Sequence, residues 1–376
     1  MNENERGYFL LSQTAAETAG NSLRILRELE PSEVLSLHGR DLLNFEIGVD
    51  FREMAEFDRL RDPAVLDALF EETEKKGLRF LCREDPDFPE EFLALPDPPA
   101  GIYVQGRLPK TDQQKVSIVG SRRCSEYGRE CAYFFGKELS KYGVNIVSGM
   151  ALGVDGYAGR GALSAADPGG FPEGHSFTTA ILGGGADLCY PKENVGLFRS
   201  ILDQGGCILS EKPAGYQAKP YDFPKRNRLI SAYGSCLAVI EAAERSGTRT
   251  TVDFALALGK EVFAVPGRIG ERMSLGCNEL IKNGAHMLTC PEDILQNLGF
   301  SVKADTKKPV HIPMTPEEKE IYDCIGSESV MIDDLLLRSN FPVSMILEIL
   351  VRLEMKGAIR KSALSGYVRV QDGRKQ

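Results

Sequence analysis

Residues 115 to 129, Lys-Val-Ser-Ile-Val-Gly-Ser-Arg-Arg-Cys-Ser-Glu-Tyr-Gly-Arg, constrain the fold more than any other stretch. Val116, Ile118 and Val119 form a short β-branched run that suits a strand buried on both faces, as strands of parallel sheets are. Gly120 ends the run and lets the backbone turn sharply, and Ser121 or Ser125 can cap a helix that carries Tyr133, Phe134 and Leu139 inward. The spacing therefore predicts strand, tight turn and helix, with Arg122 and Arg123 in a crevice beside a helix N-terminus. Backbone N–H groups, a positive dipole end and two guanidiniums favour an anion there, phosphate first. A plain turn with solvated arginines fits the same residues.

The alternation continues to about Leu298. Strands are expected at Val144 to Val147, Thr178 to Leu182, Ile208-Leu209, Ala238 to Ile240 and Val262 to Val265, with helical segments between them. This is the pattern of an α/β fold, a Rossmann-like, doubly wound and mostly parallel sheet. Nearly every strand stops in Gly, Ser or Glu, and the carboxyl ends of such strands line the ligand crevice. Neither G-x-G-x-x-G after the first strand nor G-x-x-x-x-G-K-[ST] occurs, which disfavours a nicotinamide or ATP enzyme and predicts no cofactor. Ser246 to Thr251 offers a second anion cup, or simply the cap of a helix over Val252 to Leu258.

Residues 211 to 230 hold five Lys or Arg side chains interleaved with Tyr216, Tyr221 and Phe223. A single nucleic-acid strand needs that mixture, cations for phosphates and rings for exposed bases, whereas a duplex hides its base faces. The alternative is a Pro-rich surface loop with Phe223 tucked into the core and Asn227 bracing a helix.

Net charge, −9 over 376 residues, speaks against nucleic acid until it is divided. Residues 1 to 114 carry 13 basic and 24 acidic side chains, whereas 115 to 290 carry 20 and 17, so the middle of the chain can meet an anionic partner. Residues 1 to 84 read as an acidic domain of short helices, of the SAM or helix-hairpin-helix kind. The core domain is expected over 85 to 298, with 85 to 114 as a proline-punctuated lead-in that runs into an edge strand at Ile102 to Val104. A linker at 299 to 313 precedes helices near 315, 331 and 343 and a hairpin around Ser365-Gly366, a winged-helix arrangement over 314 to 376. Nine cysteines without a C-x-x-C pair and four unclustered histidines predict reduced thiols and no metal site. No segment has the length and apolarity of a membrane span, so a cytoplasmic location without membrane contact is expected.

Several motifs together resemble the DNA-processing protein A (DprA, or Smf) family. They are G-S-R at 120, S-G-M-A-L-G-V-D at 148, D-L-C-Y-P-K-E-N at 187, S-E-K-P at 210, F-P-K-R-N-R-L-I-S at 223, E-A-A-E-R-S-G-T-R-T-T at 241, and V-F-A-V-P-G with G-C-N-E-L-I-K-N-G-A. The resemblance spans about 85 to 375. It implies a core that binds single-stranded DNA, loads the RecA recombinase during natural transformation and forms a homodimer through that core. Carried over residue by residue, it implies Gly120, Ser121 and Arg122 at the first turn and Phe223, Arg226, Asn227 and Arg228 at the basic-aromatic segment, with Lys219 and Lys225 as neighbours. The chain departs from the family at Gly159, where a histidine is usual, and in the loop 167 to 176.

The would-be recognition helix, Ser344 to Lys356, is mostly apolar and lacks the Arg, Asn and Gln set that reads base edges, which favours an interaction or autoregulatory role. Two other functions compete with strand binding. A nucleotide-cleaving enzyme would use Glu211 or Glu241 at a strand end, and a duplex-binding regulator would use the winged helix.

Overall fold

The strand expected at residue 115 lies in the middle of the principal sheet. The computed structural model describes residues 1–14, 19–165, 175–244, 246–301, 313–325, 329–361 and 366–369. Among these, nine strands join in one sheet: β1 (Arg79–Cys82), β2 (Gly101–Gly106), β3 (Lys115–Val119), β4 (Asn145–Ser148), β5 (Thr178–Leu182), β6 (Cys207–Ser210), β7 (Cys236–Val239), β8 (Val262–Ala264) and β9 (His286–Met287), in the order β1-β2-β6-β5-β4-β3-β7-β8-β9. Every pairing from β6 to β9 is parallel, while β2 runs antiparallel to both β6 and β1. After β3 the chain adds strands on one side, then returns to pair β7 with the other flank of β3, Val116 opposite Cys236. Strand order reverses there, and a crevice opens beyond the strand ends.

Alternation along β3 builds both faces of the sheet. Val116 and Ile118 join a cluster with Phe135 and Leu139 of the helix Glu126–Lys141, whereas Val119 packs with Leu229 and Tyr233 of the helix Asp222–Tyr233. Ser117, on that second face, donates to the Ile230 carbonyl at 2.6 Å. The first cluster runs on into the N-terminal helices, among them Glu3–Gln13, Phe51–Leu60 and Pro63–Lys75. Phe9 meets Phe80 of β1 edge-on, 5.1 Å between centroids, so the helical segment and the sheet share one core.

Two expectations need correction. Ile102 to Val104 is not an edge strand, because β1 pairs with its outer side and Ile102, Tyr103 and Val104 are all fully buried. The strand β1 itself lies in the stretch read as helical. Arg-Phe-Leu-Cys carries no β-branched residue, and its strand state comes from pairing Phe80 with Tyr103.

The second unit, described by itself, has helices Pro316–Cys324, Ile332–Arg338 and Val343–Met355 and the hairpin of β10 (Ile359–Lys361) with β11 (Tyr367–Arg369). Thr315 caps its first helix in a capping box with Glu318. The loop expected at 167 to 176 and the linker at 299 to 313 lie largely outside the described residues. No helix among the described residues is long and apolar enough to cross a membrane.

Candidate nucleic-acid interface

Gly120 is required by packing. A Cβ there would lie 2.7 Å from Val154 Cγ2 and 2.9 Å from the Glu241 carbonyl oxygen. Ser121 follows with its N–H on that same carbonyl at 2.7 Å, which ties the turn after β3 to the end of β7. Its Oγ accepts from Arg123 N at 3.1 Å, while Ser125 is the residue that caps the helix Glu126–Lys141, through Gly128 N.

The helix start does not wait for a phosphate. Glu241, 3% exposed, accepts from Ser125 N at 2.8 Å and from Ser125 Oγ at 2.5 Å. The anion expected from the dipole argument is thus the chain's own carboxylate. Arg122 and Arg123 remain exposed.

Arg122 reaches across to the basic-aromatic segment. Its guanidinium lies over the Phe223 ring, 5.1 Å from the centroid, and Tyr190 stands 5.4 Å from the same ring at 33°. These three residues line a cleft of about 60 Å³ with Gly149, Ala151, Leu152, Pro191 and Arg226. Tyr190 is 53% exposed and was not singled out from sequence, although it sits within the D-L-C-Y-P-K-E-N motif. The floor is fixed by Asp155, whose carboxylate accepts from Gly149 N at 2.9 Å, and by Asn194, which donates to the Met150 and Ala151 carbonyls.

The basic-aromatic segment is half helix, because Asp222–Tyr233 is helical from its first residue. That redirects its cations. Arg226, 7% exposed, lies over the strand ends, with Nη1 donating to the Gly149 carbonyl at 3.1 Å and to that of Ile181. Burial draws its pKa down to about 10, against the pull of Asp155, whose own carboxyl burial pushes up. Arg228, 3% exposed, is held by Asp97 at 3.0 Å and Glu211 at 2.6 Å. Asn227 accepts from Arg226 Nε at 3.2 Å. Lys219 and Lys225 are exposed instead, with ammonium groups 5.7 and 5.3 Å from the ring centroid of Tyr221. Arg122, Phe223 and Arg226 are therefore gathered at one cleft, with Gly120 and Ser121 in the turn that leads to Arg122; Lys219 and Lys225 flank a second ring, and Arg228 is turned into an internal ion pair.

Gly159 is buried in the helix Val154–Leu163, where a Cβ would meet Leu197 at 3.5 Å. Arg160 beside it donates to Asn194 at 2.9 Å.

The family model for DNA recombination-mediator protein A matches residues 79–299, and that for the DprA winged helix domain matches 305–363. The chain belongs to the DprA/Smf family. Protein Smf of Escherichia coli is 35% identical over 291 residues, 76% of this chain and 75% of that protein. The X-ray structure of DprA from Streptococcus pneumoniae superposes with a TM-score of 0.64 at 30% identity, covering 78% of this chain and 97% of that one. DprA from Helicobacter pylori, solved for its single-stranded DNA binding mode, gives a TM-score of 0.50 at 30% identity, over 59% of this chain and 95% of its own. A DprA core with a Rossmann-like sheet and a winged-helix domain accordingly describes this chain.

Proposed function

We propose that the chain binds single-stranded DNA at the cleft between Arg122, Tyr190 and Phe223, and acts as a mediator that protects incoming strands and loads RecA onto them during natural transformation. One observation carries this reading: the guanidinium of Arg122 lies over a ring that also meets Tyr190. A cation for a phosphate stands directly beside faces on which a base can stack. The single-strand binding of the Helicobacter pylori relative supports it. Lys219 and Lys225 around the half-exposed Tyr221 repeat the combination and extend the path. Gly120 and Ser121 shape the first turn; Arg226, Asn227 and Arg228 hold the helix that presents Phe223.

A second copy is proposed to pair through the core domain, near the β9 end of the sheet. There the short strand leaves an outer edge, and Leu256, Ile269 and Met287 are exposed on neighbouring elements. Two tethered grooves raise avidity through effective concentration, which a protein delivering strands to a recombinase can use. No chemical step is needed, and both carboxylates that nucleotide cleavage would require are engaged, Glu241 by Ser125 and Glu211 by Arg228.

A salt-titrated binding assay tests the reading, comparing labelled oligo-dT with duplex of the same length for wild type and Arg122→Ala. Selective single-strand binding that weakens with salt and falls in the variant is expected. Equal affinity for both DNAs, or an unaffected variant, would overturn it.

A further inference from the structure

A ring outside the cleft also gathers cations. Tyr157, on the helix Val154–Leu163, has the guanidinium of Arg129 5.8 Å from its ring centroid and that of Arg160 5.6 Å from it. Arg129 comes from the neighbouring helix Glu126–Lys141, and Arg160 follows Tyr157 about one turn later on the same face. Neither guanidinium is within ion-pair distance of a carboxylate among the described residues. Arg129 has the Cys124 thiol as its other polar neighbour, and Arg160 commits only Nη2, to Asn194. Two cations held at one ring without a counter-charge repel each other, and an anion between them relieves that repulsion. These groups are within reach of solvent. Arg129 is exposed, and Tyr157 and Arg160 are half-buried. The Tyr157 hydroxyl and Arg160 Nε and Nη1 have no hydrogen-bond partner among the described residues, and none of the three atoms is buried.

The cluster adjoins the cleft. Asn194 Oδ1 accepts from Arg160 Nη2 at 2.9 Å, while Asn194 Nδ2 donates to the Ala151 carbonyl at 3.2 Å, and Ala151 and Leu152 line the cleft. One amide therefore links Arg160 to the cleft wall. Leu152 stands just before the start of the helix, and Arg160 lies only ~11 Å further along its axis. Guanidinium beside ring repeats the pairing of Arg122 with Phe223, which suits a polyanion that carries flat groups. We propose that a strand bound at Phe223 continues past Leu152 and seats a further phosphate between Arg129 and Arg160, with the Tyr157 hydroxyl donating to it. The inference rests on the single-strand reading and deepens it, since the strand then leaves the cleft in a defined direction and is anchored at a second place.

The test is a salt titration of oligo-dT binding by the full chain. Arg129→Ala is expected to lower the salt slope by ~0.7, one neutralised phosphate, and to weaken binding about fivefold at ~0.1 M salt. Arg160→Ala should act alike, and Arg160→Lys should recover the slope because the charge returns. Arg107→Ala is the control. Its side chain is exposed where β2 runs out beside the amino end of β6, away from the carboxyl ends that form the cleft, and both slope and affinity should stay at wild type. An Arg129→Ala variant with the wild-type slope, or a control that loses as much, would overturn the second anchor, while binding that still depended on Arg122 left the strand site standing. If wild type bound no oligo-dT, both readings would fall. Should Arg160→Ala not fold, since Arg160 also braces Asn194, the exposed Arg129 decides alone.

Discussion

The Arg122 guanidinium lies 5.1 Å from the centroid of Phe223, which joins the turn after β3 to the helix after β6 although 100 residues of chain separate them. An arginine stacked on a ring keeps its N–H edge free for a phosphate, which an ammonium cannot do from the same place. Arg122→Ala should lower single-strand affinity about tenfold and flatten the salt dependence by ~0.7, the loss of one neutralised phosphate. Arg122→Lys should restore the slope while recovering only part of the affinity. A titration of log affinity against log salt checks both, and a slope unchanged in the alanine variant would remove Arg122 from the phosphate path.

Phe223 should contribute through its ring face. Replacing it with Leu keeps an apolar side chain and removes the stacking surface, so affinity should drop by about 1–3 kcal/mol while the salt slope stays put. Tyr190→Leu should act in the same direction. The same titration separates these variants from Arg122→Ala, because a change of slope in either would mean that the helix start had moved and carried cations with it.

How far the sequence announces this site depends on how local each cause is. The buried strand at 116 to 119, the glycine after it and the helix cap at Ser125 follow from neighbours in the chain, and all are found where the residues place them. The fate of the cations does not. Arg228 looks like a phosphate ligand until Asp97, 131 residues away, and Glu211 take its guanidinium. Arg226 is spent on the carbonyls of Gly149 and Ile181, at the ends of two other strands. Glu241 in turn fills the anion position that the helix dipole advertises at Ser125, 116 residues earlier. Sequence spacing can display a charge, but tertiary pairing decides whether it reaches solvent.

Glu241 is accordingly expected to be structural. Glu241→Gln keeps the shape and exchanges one acceptor oxygen for a donor that faces Ser125, which should cost about 1–3 kcal/mol of unfolding free energy. Gly128→Ala should destabilise through the same contact, since its Cβ would fall 2.2 Å from Glu241 Oε2. Denaturant unfolding of both variants checks this. Nucleotide hydrolysis that is present in wild type and lost in Glu241→Gln would instead revive the enzyme reading.

Lys260 gives the fold a signature in alkaline solution. Its ammonium donates to the carbonyls of Ala232 and Gly234, where the helix Asp222–Tyr233 ends before β7. Burial nevertheless draws its pKa from the ordinary 10.5 down to about 8, with Glu91 pulling the other way. Between those two pH values the unfolded chain holds a proton that the folded chain has released, so stability rises with pH across the window. Below about pH 8 both states are protonated and the penalty is complete; above 10.5 both are neutral and it is gone. Lys260→Met removes the titration, and the neighbouring Cys236 thiol, which burial pushes up to about 12, stays protonated in the folded chain across this window. The unfolding free energy of wild type minus that of the variant should therefore climb from about pH 8 to 10.5 and then level off. A difference that stayed flat through this range would mean that Lys260 keeps its ordinary pKa, and that its two carbonyl partners offset the desolvation.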